Sequence, residues 1–440
     1  MKIALDAMGG DLAPKATVEG AVLAARESVL EVVLVGNRDL LTRELADHQT
    51  AGLKITIHHA PEVVTMDDSP LESVLTKPHS SIHLGFDLLK AGSVDGFVSA
   101  GNSGAVMAAA MAILGNLPHV ERPAIASPVP MTGGFALLID AGANADVKPI
   151  HLAQFAVMGE IYSRRVRSIV RPRVGILSNG EEDAKGTDLT RAAAAMLREM
   201  GAFVNYVGYV EGRDINRGKV DVVVTDGFTG NVALKTMEGF ASFMMLNIFE
   251  AFGGNWRGRL GFLLVRKNLR GLREKLDPHE YGGAPLLGVN GATVISHGSS
   301  TAVAIKNALR AAANESLVRH VNAEISDVLG RIQIVTGAAA KPAGKGLKAL
   351  FSRMRERLSR HKDKEIEPPS RAPQAAKADA PQPAAERPAV AVAPPSPNGR
   401  RPTGDLSAAA HADNHAHASE GSDEHAAPND SGSSEKAKPS

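Results

Sequence analysis

Short apolar runs rich in β-branched residues recur along the chain up to residue 296, and Ala-rich stretches with helical periodicity separate them. The runs predict strands at residues 3–6, 31–35, 54–58, 95–99, 124–129, 135–140, 173–178, 203–207, 221–225 and 293–296. The intervening pattern predicts helices that include 17–27, 103–114, 189–200 and 300–312. Several strands are almost continuously hydrophobic, which suits strands covered on both faces. Alternation of strand and helix predicts an α/β fold with a doubly wound, largely parallel sheet. Ligands of such sheets bind at the carboxyl ends of the strands, where the sheet changes direction.

Two neighbouring stretches break the alternation. Residues 235–252 form a long apolar helical run with Met237, Phe240, Phe243, Met244, Met245, Ile248 and Phe252. Residues 256–276 then carry Arg257, Arg259, Arg266, Lys267, Arg270, Arg273 and Lys275 against a single acid, Glu274. Leu260, Leu263, Leu264, Leu269 and Leu272 interleave with these bases. A basic amphipathic helix suits a membrane surface or an acidic partner. The same pattern also serves a helix packed on its own domain or on a second subunit.

A similar segment occupies 345–364, with Leu347, Leu350, Phe351, Met354 and Leu358 on one helical face. It fits a weak contact with an anionic membrane, or a solvated helix leading into a linker. Beyond Pro368 the chain is Ala, Pro, Ser, His and Glu with almost no large apolar side chain, too little to offset the entropy of ordering. His411, His415, His417 and His425 there could hold a metal weakly or simply reflect composition. The expected organisation is a catalytic domain at 1–338 with a protruding amphipathic segment at about 235–276, a basic amphipathic segment at 339–366 and a disordered tail at 367–440.

Composition narrows the function. The net charge of +1 gives no global field toward nucleic acid or membrane. Aromatic residues make up 4% of the chain, which argues against stacking platforms for single-stranded nucleic acid. The chain contains no cysteine, so disulfides, Cys-ligated zinc and cysteine nucleophiles are excluded. The opening MKIALDAMGG lacks the features of a signal peptide, and no long uncharged apolar run predicts a spanning helix.

Glycine-bearing segments stand where strands should end. DAMGGD, with Asp6, Gly9 and Gly10, allows successive N–H groups to face an anion, or is a tight turn with an Asp cap. It is not a dinucleotide fingerprint. SAGNSGA, with Gly101, Asn102, Ser103 and Gly104, follows a strand and opens a helix, where free N–H groups and the helix dipole favour phosphate. Ser103 also suits an N-cap. In SNGEEDAKGTDL, Lys185 is a phosphate or oxyanion partner, or one half of a surface salt bridge. In DGFTGNVALK, Asn231 is expected at a helix start with its amide able to donate to an oxyanion. Residues 282–288 read as an apolar, Pro-containing loop. His297 then stands at a strand end, before Gly298, Ser299 and Ser300 begin a helix.

Taken in order, DAMGGD, SAGNSGA, GEEDAKG, DGFTGNVALK and YGGAPLLGVNG followed by HGSS closely resemble the bacterial phosphate acyltransferase family of phospholipid synthesis, over roughly residues 1–335. Where that family often reads Arg-x-Lys-Lys-x-Ser-Ser, this chain has Leu75, Lys77, Pro78, Ser80 and Ser81; its Asn-Ile-Gly is Ser178-Asn179-Gly180 here. The resemblance implies transfer of an acyl group from acyl-[acyl carrier protein] to inorganic phosphate, with neither metal nor nucleotide cofactor. It implies a three-layer α/β/α sandwich akin to phosphate acetyltransferases and isocitrate- or isopropylmalate-type dehydrogenases. It also implies a homodimer, reversible attachment to the cytoplasmic face of the membrane, and a glycerol-3-phosphate acyltransferase downstream.

The expected mechanism is direct displacement by phosphate. Backbone N–H groups at residues 101–104 and 298–300 would hold the anion, while Lys185, Asn231 and His297 polarise the carbonyl or orient the nucleophile. An acyl-serine on Ser103 or Ser299 is the covalent alternative. The apolar residues 237–252 and 260–264 would line an acyl channel or dip into lipid; Leu263, Leu264, Arg266, Lys267 and Arg270 are the expected membrane or carrier-protein contacts. Competing readings are an acyltransferase using acyl-CoA, a nicotinamide-dependent decarboxylating dehydrogenase, and a catalytically dead membrane scaffold. The dehydrogenase would need a carboxylate metal cluster and a nucleotide loop that the sequence does not offer.

Overall fold

The structure is a computed structural model that describes residues 1–254, 256–276, 282–314 and 317–336. The segments expected at 339–366 and 367–440 lie outside the described residues. The elements run β1 (Lys2–Asp6), α1 (Lys15–Glu27), β2 (Glu31–Gly36), α2 (Arg38–Ala46), β3 (Ile55–His59), α3 (Pro70–Thr76), α4 (Ser81–Lys90), β4 (Gly96–Ser99) and α5 (Ser103–Ile113). Then come β5 (Ala124–Met131), β6 (Gly134–Ile139), α6 (Pro149–Val166), β7 (Val174–Leu177), α7 (Asp188–Glu199), β8 (Tyr206–Val210), α8 (Gly212–Ile215) and β9 (Val222–Val224). The long helices α9 (Gly227–Gly253) and α10 (Trp256–Leu276) precede β10 (Ala284–Leu287), β11 (Ala292–Ile295), α11 (Ala302–Ala312), a π-helical turn at Leu317–Val321 and α12 (Asn322–Thr336).

Every predicted strand has a counterpart, with two corrections. β8 begins three residues later than the hydrophobic run at 203, because Phe203 and Val204 donate their N–H groups back to the Met200 carbonyl and finish the turn after α7. The segment 282–288, expected as a loop, contains β10. Four residues, a proline and flanking glycines read as a turn. Tertiary pairing overrides that local signal: Pro285 faces Val294 of β11, and Leu286 faces Ile125 of β5.

All strands form one sheet of order β3-β2-β1-β4-β11-β10-β5-β6-β9-β7-β8. Two parallel blocks are separated by antiparallel pairings of β10 with β11, β10 with β5, and β5 with β6. Three reversals leave the second block, β6-β9-β7-β8, running opposite to the first. Opposed direction alone would put the carboxyl ends on opposite edges, but the pairing is staggered. β5 begins opposite the end of β10, and its Ala126 meets Ile139 at the end of β6. The carboxyl ends of the two blocks therefore come together at the seam made by β10 and β5. This is where the sheet changes direction, and it is where the polar loops gather.

Alternate side chains face opposite layers, as the strand period requires. Ile3, Leu5, Val32, Leu34, Leu137, Ile139, Val222 and Val224 pack with α1, α6, α7, α11 and α12. On the other face, Ala4, Val33, Val35 and Phe97 pack under α4 and α5. Leu138 and Val223 meet Ile215 of α8, with Leu234 and Met237 of α9 beside them. The molecule is thus the expected α/β/α sandwich around a mostly parallel sheet. The hairpin of α9 and α10 departs from it, leaving Phe240, Phe243, Leu246, Trp256, Leu263 and Leu264 exposed.

Candidate active site

Three loops of the first block lock together at the carboxyl edge. Asp6, fully buried at the end of β1, accepts a hydrogen bond of 2.7 Å from the Ser99 hydroxyl at the end of β4. Ser99 Oγ in turn accepts the Gly101 N–H at 3.0 Å. Burial pushes the Asp6 carboxyl up, against the lowering pull of the Ser81 and Ser99 hydroxyls and the Met8 and Gly9 N–H groups. Asp6 therefore anchors the loop and faces inward. Gly10 has φ +102°, and a Cβ there would stand 2.9 Å from the Gly298 carbonyl, so only glycine fits without strain. The Asp11 N–H closes the contact by donating to that carbonyl at 2.8 Å.

Asn102, not Ser103, caps α5: its Oδ1 accepts the Ala105 N–H at 3.1 Å. Its Nδ2 donates to the carbonyls of Met66 and Asp68, at 3.2 and 3.1 Å, and holds the 65–68 loop over the helix start. Lys77 is spent on this same loop, donating to Val63 O and Asp68 Oδ2. Ser103 is left as the first helical residue, exposed, with the α5 dipole behind it.

The second block supplies an equally rigid wall. Asp140 follows β6 and is completely buried. Its Oδ1 accepts the Ile125 and Ala143 N–H groups at 3.0 and 2.9 Å, and its Oδ2 accepts the Asn144 N–H at 2.7 Å. Burial pushes this carboxyl up too, opposed by those donors. The start of α9 presses onto this turn. Gly227 donates to Asn144 O at 2.8 Å, and a Cβ on Gly230 would lie 1.9 Å from Asp140 O. Asp226 is the cap, so Asn231 lies a full turn inside α9 and not at its start.

Between the two walls lies a cavity of about 350 Å³, lined by Ser103, Ser127, Gly142, Asn231, Lys235, Glu238, Ser296 and His297 with a few apolar neighbours. Lys235 Nζ lies 2.8 Å from Glu238 Oε2 and 2.9 Å from His297 Nε2. His297 Nδ1 is 2.8 Å from Ser299 Oγ. The cavity continues, through the shared Pro128, Leu234 and Glu238, into an apolar trough of about 880 Å³. Val129, Pro130 and Met131 of β5 form one wall of the trough; Met237, Phe240 and Met244 of α9 form the other.

Of the residues singled out in the sequence, Ser103, Asn231 and His297 share this cavity. Gly9, Gly10, Gly101, Gly104 and Gly298 shape the loops around it. The helix expected from residue 298 starts at Ala302, with Thr301 as its cap. Ser299 pairs with His297, while the buried Ser300 hydroxyl meets Ser296 Oγ at 2.8 Å. Lys185 is exposed on the loop after β7 and is not among the residues lining the cavity. Leu263, Leu264, Arg266, Lys267 and Arg270 are exposed on α10. Sequence reasoning passed over Lys235 and Glu238. The signal was present, since residues 231, 235 and 238 fall on one face of a helix.

The profile of the Fatty acid synthesis protein family matches residues 1–322. A relative from Geobacter sulfurreducens named "Phosphate acyltransferase" is 48% identical over 347 residues, covering 77% of this chain and all of the relative. One of the same name from Anaeromyxobacter dehalogenans is 54% identical over 321 residues, 73% of this chain and 88% of the relative. Among solved structures, a phosphotransacetylase from Streptococcus pyogenes aligns with 71% of this chain and 93% of its own at 18% identity, with a TM-score of 0.47.

Proposed function

The chain belongs to the Fatty acid synthesis protein family, and from that premise we propose that it is a phosphate acyltransferase, moving a fatty acyl group from acyl carrier protein to inorganic phosphate for phospholipid synthesis. The observation that carries this reading is the joining of a polar cavity at a helix start to an apolar trough. An acyl thioester has that shape: a reacting polar end on a long hydrocarbon.

In this reading phosphate sits at the start of α5, where the N–H groups of the first turn and the helix dipole favour an anion. One phosphate oxygen attacks the thioester carbonyl carbon. The resulting oxyanion accepts from the Asn231 amide on α9, and its collapse breaks the C–S bond. The departing pantetheine thiolate, from a thiol of pKa about 8.5, needs no strong acid. Lys185, on the neighbouring loop, is proposed to reach the reacting groups once the donor is bound. Catalysis then rests on positioning and on fixed donors.

The test is phosphate-dependent thiol release from acyl carrier protein and from acyl-CoA, with mass detection of acyl phosphate. Release from the carrier protein that requires phosphate supports the reading. Release from acyl-CoA alone would move the donor to that carrier, and none from either would reject acyl transfer. An acylated Ser103 or Ser299 peptide after a phosphate-free quench would replace direct displacement with a covalent route.

The α9–α10 hairpin is proposed as the contact with acidic carrier protein and with the cytoplasmic face of the membrane. Exposed Leu263 and Leu264 offer apolar surface, and exposed Arg266, Lys267 and Arg270 offer positive charge. Among the described residues no helix is long and apolar enough to cross a membrane, so this contact would be peripheral. A homodimer, and consumption of the acyl phosphate by a glycerol-3-phosphate acyltransferase, complete the proposal.

A further inference from the structure

The two walls of the apolar trough run side by side from a common start. Pro128 of β5 and Leu234 of α9 line both the trough and the polar cavity. Further along, Asn216 ties the walls together: its Nδ2 donates to Pro130 O at 2.7 Å and lies 3.6 Å from Met237 Sδ. From Pro128 to Met131 the strand covers about 10 Å, at about 3.4 Å per residue. From Leu234 to Ala241, α9 also covers about 10 Å, at about 1.5 Å per residue. Ala241 therefore stands level with the end of β5, and it is the smallest side chain that α9 gives to the trough. Past it the trough continues between Met244 and the turn at Gly133 and Gly134, where an added Cβ would meet nothing within 4 Å.

We propose that α9 measures the acyl chain, that the preferred donor carries about sixteen carbons, and that Ala241 is the residue that lets the far part of the chain pass. This rests on the phosphate acyltransferase reading, which puts the thioester carbonyl at Asn231. From Asn231 to Met244, the last residue of α9 in the trough, the helix rises about 20 Å. An extended hydrocarbon advances about 1.3 Å per carbon, so about fifteen carbons beyond the carbonyl fit along that rise. Later carbons pass beyond the lining and gain nothing from it. Phe240 and Met244 are themselves exposed, so the trough covers a chain on one side and leaves the other open. Complete burial of a methylene strengthens binding about fourfold, and half of that free energy is about twofold.

The experiment is phosphate-dependent thiol release by the full-length protein from acyl carrier protein charged with even-numbered chains of eight to eighteen carbons. In wild type kcat/KM should rise about twofold per carbon up to about sixteen carbons and then level off. In A241W the rise should end at about twelve carbons, so kcat/KM falls about 16-fold at sixteen carbons and stays within about twofold of wild type at eight. S242W puts the same bulk on the same helix outside the trough and should keep the wild-type profile. A wild-type profile that is level from eight carbons or still rising at eighteen overturns the proposal. So does an A241W loss that is equal at every length, or none. Should A241W not fold, the wild-type profile decides alone. Free fatty acids of the same lengths, titrated against a bound fluorescent fatty acid, separate the proposal from the reading it rests on. Affinity that rises to about sixteen carbons in a protein that releases no thiol would remove acyl transfer and keep the measured chain. Affinity independent of length would remove the measured chain, whatever the turnover.

Discussion

Gly230→Ala tests whether the cavity depends on how closely α9 approaches the end of β6. The added Cβ would stand 1.9 Å from the Asp140 carbonyl oxygen, whereas ordinary contact begins at 3.4 Å, so the two must part by 3.4 − 1.9 = 1.5 Å. Asp140 cannot yield easily, because its side chain is held by N–H groups of Ile125, Ala143 and Asn144. The helix moves instead, carrying Asn231 and Lys235 with it. Overpacking of this kind costs about 1–3 kcal/mol, and alanine in a helix interior returns about 1 kcal/mol. The net loss of about 0–2 kcal/mol is a fall of a few degrees in Tm at most. Activity should suffer more, by roughly 100-fold, since a displacement of about 1 Å is enough to misalign reacting groups. Thermal unfolding and phosphate-dependent thiol release measure the two effects. Gly239→Ala is the matched control on the same helix, because a Cβ there meets nothing within 4 Å. It should keep full activity and gain about 0.5–1 kcal/mol. A G230A enzyme with turnover within about threefold of wild type would refute the reasoning, since the roughly 100-fold loss follows directly from the forced shift.

The remaining predictions address other parts of the molecule. Asn231→Ala should lower kcat about 100- to 1000-fold, as loss of an oxyanion donor does, and wild-type turnover in N231A or K185A would remove that residue from the catalytic set. Asn102→Ala loses both the α5 cap and the hold on the 65–68 loop, and should cost about 1–2 kcal/mol in urea unfolding. Changing Leu263 and Leu264 to Glu should abolish flotation with anionic vesicles; unaltered flotation would place the lipid contact elsewhere. Burial raises the Asp221 carboxyl, but hydrogen bonds from Arg173 and the charges of Arg173 and Arg167 outweigh it and hold the pKa below its ordinary value. A depressed folded pKa means that the pair's contribution is present above about pH 4 and lost as pH falls through the folded value. Arg173→Met should therefore destabilise the protein at pH 7 and less in strong acid, and an equal loss at both would contradict that sign.

The parallel core was legible because its strands are buried on both faces and so read as unbroken apolar runs. β10 was not, since four residues around Pro285 look like a turn until β11 and β5 are beside them. Without β10 the reversals of the sheet could not be counted. The opposed and staggered pairing of the two blocks therefore stayed hidden, and with it the reason why loops as distant in sequence as those around residues 103, 231 and 297 share one cavity. Motif order identified the loops but could not separate residues facing the cavity from residues holding the loops together. Asp6 and Asn102 look like ligand contacts in sequence; their side chains are committed to Ser99 and to the 65–68 loop. Lys235 was hidden for the opposite reason. It lies a turn beyond the motif's glycines, and only the partner across the seam gives it a purpose.

α9 explains why one segment can look both catalytic and greasy. Its first turn, with Gly227 and Gly230, is pressed onto the Asp140 turn, which sets its distance from the end of β6. The next two turns aim Asn231, Lys235 and Glu238 into the polar cavity. At the same helical spacing, one step round, Leu234, Met237, Ala241 and Met244 line the trough. A hydrocarbon lying in that trough would touch the same rigid rod that carries the polar groups. Its binding energy would then be expressed as alignment of the thioester against those groups and not as affinity alone. The weak amphipathicity of this helix follows from that double duty, because its two working stripes, one polar and one apolar, lie side by side, and the outer apolar face beyond them remains exposed at Phe243 and Leu246.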